Sequence, residues 1–224
     1  MTVEIALRAA RVRYGPLEAL HGLDLALPAG TVTVLLGRNG SGRTTALRAL
    51  AGTVPLDAGR VLWRGADVTA LPAHARARRG LCFVPDLRAV YATLTVAENL
   101  DLMATGHPDA ARDTALAAYP ELAPLLRHRA GTLSGGERRM LALTRALLSP
   151  ARIVLVDEPS LGLSAAVASR TYGLLAALTR PPRSAAVVLA EQRVPRGLPP
   201  GSLAYELSRG SLADARELVP HPSG

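Results

Sequence analysis

At 224 residues, 49% hydrophobic and 20% charged, the chain can bury a sizeable core, which excludes a disordered protein and makes one compact domain the expectation. Apolar runs such as Ile153–Val156 and Ala185–Ala190 fall far short of the ~18 residues of a membrane span. Glu4, Arg8 and Arg11 interrupt the N-terminus before any leader-like apolar stretch, and the single cysteine, Cys82, excludes an intrachain disulfide and fits a reducing cytoplasm. The formal net charge of +8 rests on 26 basic residues, every one an arginine. They are scattered, with short clusters only at Ala75–Arg79 and Arg138–Arg139, and aromatics for base stacking make up 3%. The charge therefore reads as a solvated arginine surface, and nucleic acid is not the expected partner.

In chain order, Glu4–Arg8, Val12–Tyr14 and Leu23–Leu27 alternate in polarity and predict an antiparallel β region turning near Gly15-Pro16. Thr31–Leu36 is a β-rich run that stops at Gly37, and Thr44–Leu50 is helical; strand, glycine loop and helix open a parallel α/β sheet. Val61–Trp63 and Leu81–Val84 are short strand candidates. Helices are predicted at Val96–Met103, Pro108–Tyr119 and Gly135–Leu148, with N-caps near Asp109 and at Ser134. They make residues 87–150 a helical insertion in an α/β core of residues 1–86 and 151–224. The apolar run Ile153–Val156 suits a central parallel strand, followed by a helix over Ala165–Thr179 and a strand at Ala185–Leu189. After Gln192 the chain is rich in Pro and Gly, and its last thirty residues offer one weak strand, Leu203–Leu207. There is no internal repeat.

Gly37-Arg38-Asn39-Gly40-Ser41-Gly42-Arg43-Thr44-Thr45 has the spacing of a phosphate loop, with arginine where lysine is expected. Glycines let successive N–H groups curl around phosphate oxygens, and the following helix aims its N-terminus at the same anion. Thr44 would offer its hydroxyl to Mg²⁺, and the cation at 43 would bridge the outer phosphates. An ordinary glycine turn is the bland alternative. Arginine keeps the charge but not the shape of lysine, so weakened hydrolysis and plain tolerance both stay open. Ile153–Val156 leads into Asp157-Glu158, suited to hold Mg²⁺ and to activate a water. Leu133-Ser134-Gly135-Gly136-Glu137 begins 24 residues before Asp157 and opens a helix, a second anion-binding N-terminus. One nucleotide needs two such cradles only if they face each other across a dimer. His21, His74, His107, His128 and His221 show no metal spacing.

In these motifs the chain resembles the ATP-binding subunits of ABC transporters, from Tyr14 to about Gln192. It is most similar to those of branched-chain amino acid type importers, through Leu71–Arg78, Val84-Pro85, Leu94–Leu100 and Asp157–Leu163. The resemblance implies a RecA-like P-loop NTPase core with an antiparallel β region and a helical subdomain, one ATPase domain over residues 1–224. It implies ATP and Mg²⁺ bound by Gly37–Thr45, with Tyr14 stacked on adenine unless that ring packs on the core. Leu133–Glu137 would complete the pocket of a second ABC subunit in a homo- or heterodimer. Thr44, Asp86 and Asp157 would serve the metal, and Glu158 and Gln192 catalysis. Asp86 stands where the family has a longer glutamine or glutamate, and Gln192 where it has a switch histidine, which unlike glutamine can exchange a proton. Implied partners are transmembrane permease subunits and, indirectly, a solute-binding protein, with the chain cytoplasmic and peripheral on the inner membrane face. The rivals are a nucleotide-binding subunit with a degenerate ATPase site and a soluble ABC protein acting on nucleic acid or ribosomes.

Overall fold

The computed structural model describes residues 2–86, 89–104 and 106–218. The alternating N-terminal segment forms β1 (Val3–Tyr14) and β2 (Leu17–Pro28), joined by the tight turn at Gly15-Pro16. With β4 (Ala58–Trp63) and β5 (Ala66–Asp67) they make an antiparallel sheet in the order β2-β1-β4-β5. The second sheet has the order β10-β9-β3-β8-β7-β6. Its strands β3 (Val32–Leu36), β6 (Leu81–Val84), β7 (Ile153–Asp157), β8 (Ala186–Glu191) and β9 (Leu203–Ser208) are parallel, and β10 (Ser211–Glu217) is antiparallel to β9.

The central strands β3, β7 and β8 are buried throughout because both faces of this sheet are covered, and only Thr33 and the terminal Asp157 and Glu191 break their apolar runs. Leu35, Ile153, Leu155 and Val188 pack toward helix α1 (Arg43–Ala51) and the antiparallel sheet. Val34, Val154, Val156 and Val187 pack on the other side with α5 (Gly135–Leu148) and α6 (Ala165–Ala177). Helices α3 (Val96–Met103) and α4 (Pro108–Ala118) join α5 through the buried Leu100, Ala115 and Leu141.

Three local expectations are corrected, and one short helix is found where none was expected. The N-cap of α4 is His107 rather than the Asp109 region: Pro108 takes the first helical position, where its missing N–H costs nothing, and Asp109 sits in the first turn. Helix α6 stops at Ala177, two residues before the expected Thr179. Helix α2 (Ala73–Arg78) has too few turns to show a period, and what anchors it is one buried side chain. The Arg76 guanidinium donates to the carbonyls of Ala49 and Leu50 at the end of α1 and of Val68, Thr69 and Leu71 in the segment leading into α2. The last thirty residues hold a hairpin rather than one weak strand. β9 is added to β3 by main-chain pairing, and β10 is exposed at every residue, so it has no apolar alternation to read.

Candidate functional site

Parallel register decides what meets what. Leu36 lies beside Glu191 and Asp157 beside Ala190, so the segments leaving the carboxyl ends of β3, β6, β7 and β8 converge on one edge of the sheet. There the loop Gly37–Gly42 leads into α1. Gly37 is a forced choice, since a Cβ there would stand 2.5 Å from the carbonyl oxygen of Leu207 and from Ser41 Oγ. Gly42 caps α1 in a left-handed conformation and brings no side-chain acceptor, so the first N–H groups of the helix are left for an anion.

The loop floors a cleft of about 800 Å³, lined by Tyr14 and Glu18 at one end, by Arg38–Thr45 along its base, and by Asp86, Glu158 and Gln192 opposite. All the residues assigned to the chain's own pocket meet here except Gly37 and Asp157, which sit directly beneath it in the loop and in β7. Tyr14 ends β1 with 43% of its surface exposed, so it is not part of the core.

Arg43 is buried, and its Nη2 donates to Glu158 Oε1 at 3.1 Å, forming an ion pair. Gln192 Nε2 donates to the same oxygen at 3.4 Å. Thr44 Oγ1 donates to Asp157 Oδ1 at 3.2 Å. Ser41 Oγ, Arg43 Nη1 and Asp157 Oδ2 are buried with no hydrogen-bond partner. A buried polar group left unpaired is costly, so these three atoms mark where a ligand belongs: a hydroxyl and a guanidinium edge for phosphate oxygens, a carboxylate oxygen for a cation. The residues present therefore fit a nucleoside triphosphate with its Mg²⁺. Burial pushes the Asp157 carboxyl up to about 6, helped by the charges of Asp86 and Glu158 and opposed by the Thr44 hydrogen bond and by Arg43. Among the described residues no group of three or more His, Cys, Asp or Glu side chains could hold a metal by itself. His221 lies outside those residues.

The second cradle is built but stands apart. Ser134 caps α5 in a reciprocal capping box: its N–H donates to Glu137 Oε2 at 2.8 Å, and Ser134 Oγ accepts from the Glu137 N–H. None of Leu133–Glu137 lines the cleft. Two residues that motif reading passed over tie this region to the catalytic edge. Arg139 on α5 donates to the carbonyls of Pro85 (2.8 Å) and Asp157 (2.5 Å), joining this signature helix, so called because it opens on the Leu133–Glu137 signature, to the ends of β6 and β7. Glu191, which the predicted strand stopped short of, closes β8 and accepts from Ser160 and Tyr172. The one sequence signal for it was a carboxylate ending an otherwise apolar strand beside Gln192.

Comparison with known proteins agrees with this geometry. A family model described as ABC transporter matches residues 20–161. The chain is 36% identical over 215 residues to the probable branched-chain amino acid transport ATP-binding protein LivF of Archaeoglobus fulgidus, covering 93% of this chain and 91% of that protein. It is 34% identical over 203 residues to the high-affinity branched-chain amino acid transport ATP-binding protein BraG of Pseudomonas aeruginosa, covering 89% and 86%. Its fold matches the dimeric structure of a bacterial ABC transporter cassette with a TM-score of 0.82 at 20% identity, covering 97% of this chain and all of that one. An ATP-binding cassette of an ABC transporter in its ADP conformation superposes at 0.76, also at 20% identity, over 97% and 92%. With the phosphate loop, the acidic strand end and the signature helix formed in one chain, this protein belongs to the ABC transporter family as an ATP-binding, ATPase subunit.

Proposed function

We propose that this subunit energises an importer of branched-chain or other amino acids or their amides, working at the inner face of the membrane on transmembrane permease subunits. The transport role named for the two relatives supports the solute class. The observation that carries the mechanism is the separation of the two anion cradles, because Leu133–Glu137 does not line the cleft above Gly37–Thr45. Head-to-tail pairing with a second ABC subunit brings one cradle of each chain onto one ATP. The whole chain acts as one cassette, with residues 87–150 as its helical subdomain, and closure of the pair on ATP drives the transporter's transition.

In that pocket Tyr14 stacks on the adenine, and the N–H groups of Arg38–Thr45 wrap the phosphates. Arg43 turns its unpaired Nη1 toward the outer phosphates, and Thr44 and Asp157 are the residues that would hold Mg²⁺, with Asp86 nearby. When bound, the metal neutralises charge on the phosphates. Glu158 takes the proton of the attacking water as its oxygen bonds to phosphorus and the bridge to ADP breaks. Gln192 cannot exchange a proton, so its part is to orient Glu158 through their hydrogen bond.

One observation favours a second reading, a subunit that mainly holds ATP while its signature serves a partner's pocket. Arg43 is paired to Glu158, so the cation meant for phosphate also masks the base. Single-turnover hydrolysis by wild type and Arg43→Lys, with and without permease and partner subunits, decides between them. Brisk turnover by the isolated wild-type homodimer eliminates the second reading. A rise of about tenfold or more in Arg43→Lys establishes that arginine limits the rate.

A further inference from the structure

Glu158 adopts a left-handed backbone conformation, φ +47°, which side chains other than glycine rarely occupy. Such a conformation persists only where the surroundings over-determine it, and here three consecutive residues of β8 and its end do so. The Ala190 carbonyl accepts from the Glu158 N–H at 2.9 Å. Glu191 Oε1 accepts from the Ser160 N–H at 3.2 Å and from Ser160 Oγ at 2.9 Å. The Gln192 amide reaches the Glu158 carboxylate itself. Residue 190 thus holds the chain before the strained position, residue 191 holds it after, and residue 192 holds the side chain.

We propose that Glu191 is a positioning residue for ATP hydrolysis: its buried carboxylate pins the backbone beyond Glu158 and so fixes the direction in which that base points. The proposal rests on Glu158 being the base. Glu191 is 7% exposed, and Tyr172 Oη from α6 donates to the same Oε1 at 2.5 Å, making three donors on one oxygen. Burial, and then the bond to Glu191, push the Tyr172 hydroxyl well up, so it stays a donor at any working pH. Tyr172 thereby anchors the carboxylate in the rigid helix, and the carboxylate transmits that anchor to Ser160. A carboxylate is suited to this task because one oxygen can accept from several donors. The loop beyond Ser160 runs past the signature helix, where a Cβ on Gly136 would lie 2.7 Å from the Gly162 carbonyl. A shift of Ser160 would therefore be felt at the signature helix as well.

The test compares Glu191→Ala, Glu191→Gln and Tyr172→Phe in the full-length protein, reading kcat, the ATP dissociation constant and hydrogen exchange at the Ser160 amide. Glu191→Ala is expected to lower kcat by about ten- to a hundredfold while ATP affinity stays within about twofold, because phosphate contacts are untouched. Glu191→Gln retains an acceptor oxygen and is expected to recover most of the rate. Exchange at Ser160 should quicken in the alanine variant and stay slow in the glutamine variant. Should Glu191→Ala fail to fold, Tyr172→Phe together with Ser160→Ala loosens the same oxygen and is expected to lower kcat several-fold. Unchanged kcat in every folded variant overturns the proposal, as does a parallel loss of rate and affinity without rescue by glutamine. If Glu158→Gln leaves the rate unaltered, it is the base assignment that fails. The Ser160 exchange then still reports whether Glu191 holds the loop.

Discussion

At the scale of single residues, the catalytic edge is a balance among three charges, those of Arg43, Glu158 and Asp157, set by burial. Arg43 is paired with Glu158, and Asp157 has one oxygen bonded to Thr44 and one unsatisfied. An isolated buried carboxylate is unfavourable in its charged form, which is why the Asp157 carboxyl is pushed up to about 6 from an ordinary 3.8. A raised carboxyl binds its proton more tightly in the folded chain, so the ligand-free protein should gain stability as pH falls from about 6 toward 4. Above about 6 the cost of the bare carboxylate is fully present. Asp157→Asn should therefore raise the melting temperature of the ligand-free protein at pH 8 more than at pH 5, while removing Mg²⁺-dependent hydrolysis. Thermal denaturation at the two pH values checks the sign. Glu158→Gln keeps the shape of the base and removes its proton affinity. It should cut turnover by about 10²-fold or more and leave an ATP-bound dimer that elutes early in size-exclusion chromatography.

At the scale of elements, the phosphate loop is held in shape from outside, by the C-terminal hairpin. The Gly210 N–H in the β9–β10 turn donates to the Ser41 carbonyl, and the His21 N–H of β2 donates to the Gly210 carbonyl, both at 2.9 Å. The turn lies so close to β2 that a Cβ on Gly210 would stand 2.5 Å from the Ala19 carbonyl oxygen, and its φ of +77° is left-handed. Gly210→Ala should destabilise the fold by about 1–3 kcal/mol and weaken ATP binding, because the contact it disturbs reaches the loop. Denaturant unfolding and nucleotide titration measure the two effects. Equal affinity in a destabilised variant would separate the hairpin from the loop. The signature helix shows the opposite economy: its start is specified within five residues, since the Ser134–Glu137 capping box needs no tertiary partner.

For the whole molecule, Leu133–Glu137 lies outside the cleft above the phosphate loop, and in the proposed head-to-tail pair one chain would be half of each site. Ser134→Arg should therefore block a partner's pocket and abolish transport-linked hydrolysis, while leaving ATP binding to the variant's own cleft within about twofold. No helix among the described residues is long and apolar enough to cross a membrane. Co-expression with its permease should carry the protein into the membrane fraction, detected by immunoblot. Stable recovery with ribosomes or DNA, and never with a permease, would defeat the transporter assignment.

Much of this was written in local patterns. The phosphate loop, the apolar strand ending in Asp157-Glu158 and the Ser134 cap are runs of neighbours in the chain, and each is legible because its chemistry needs adjacent residues. The central strands were readable for a related reason, since burial on both faces leaves unbroken apolar runs. What only the tertiary structure decided is pairing across distance. Arg43 meets Glu158 across 115 residues and Thr44 meets Asp157 across 113, through a parallel register that no local pattern encodes. Arg76 looked like one arginine in a basic cluster until the fold gave it five carbonyls, and Glu191 lay beyond the predicted strand until β8 reached it and Ser160 and Tyr172 were brought to it. Sequence by itself determines which side chains can do the chemistry; the sheet register and the burial it imposes determine which of them are in reach, and at what cost each charge is held.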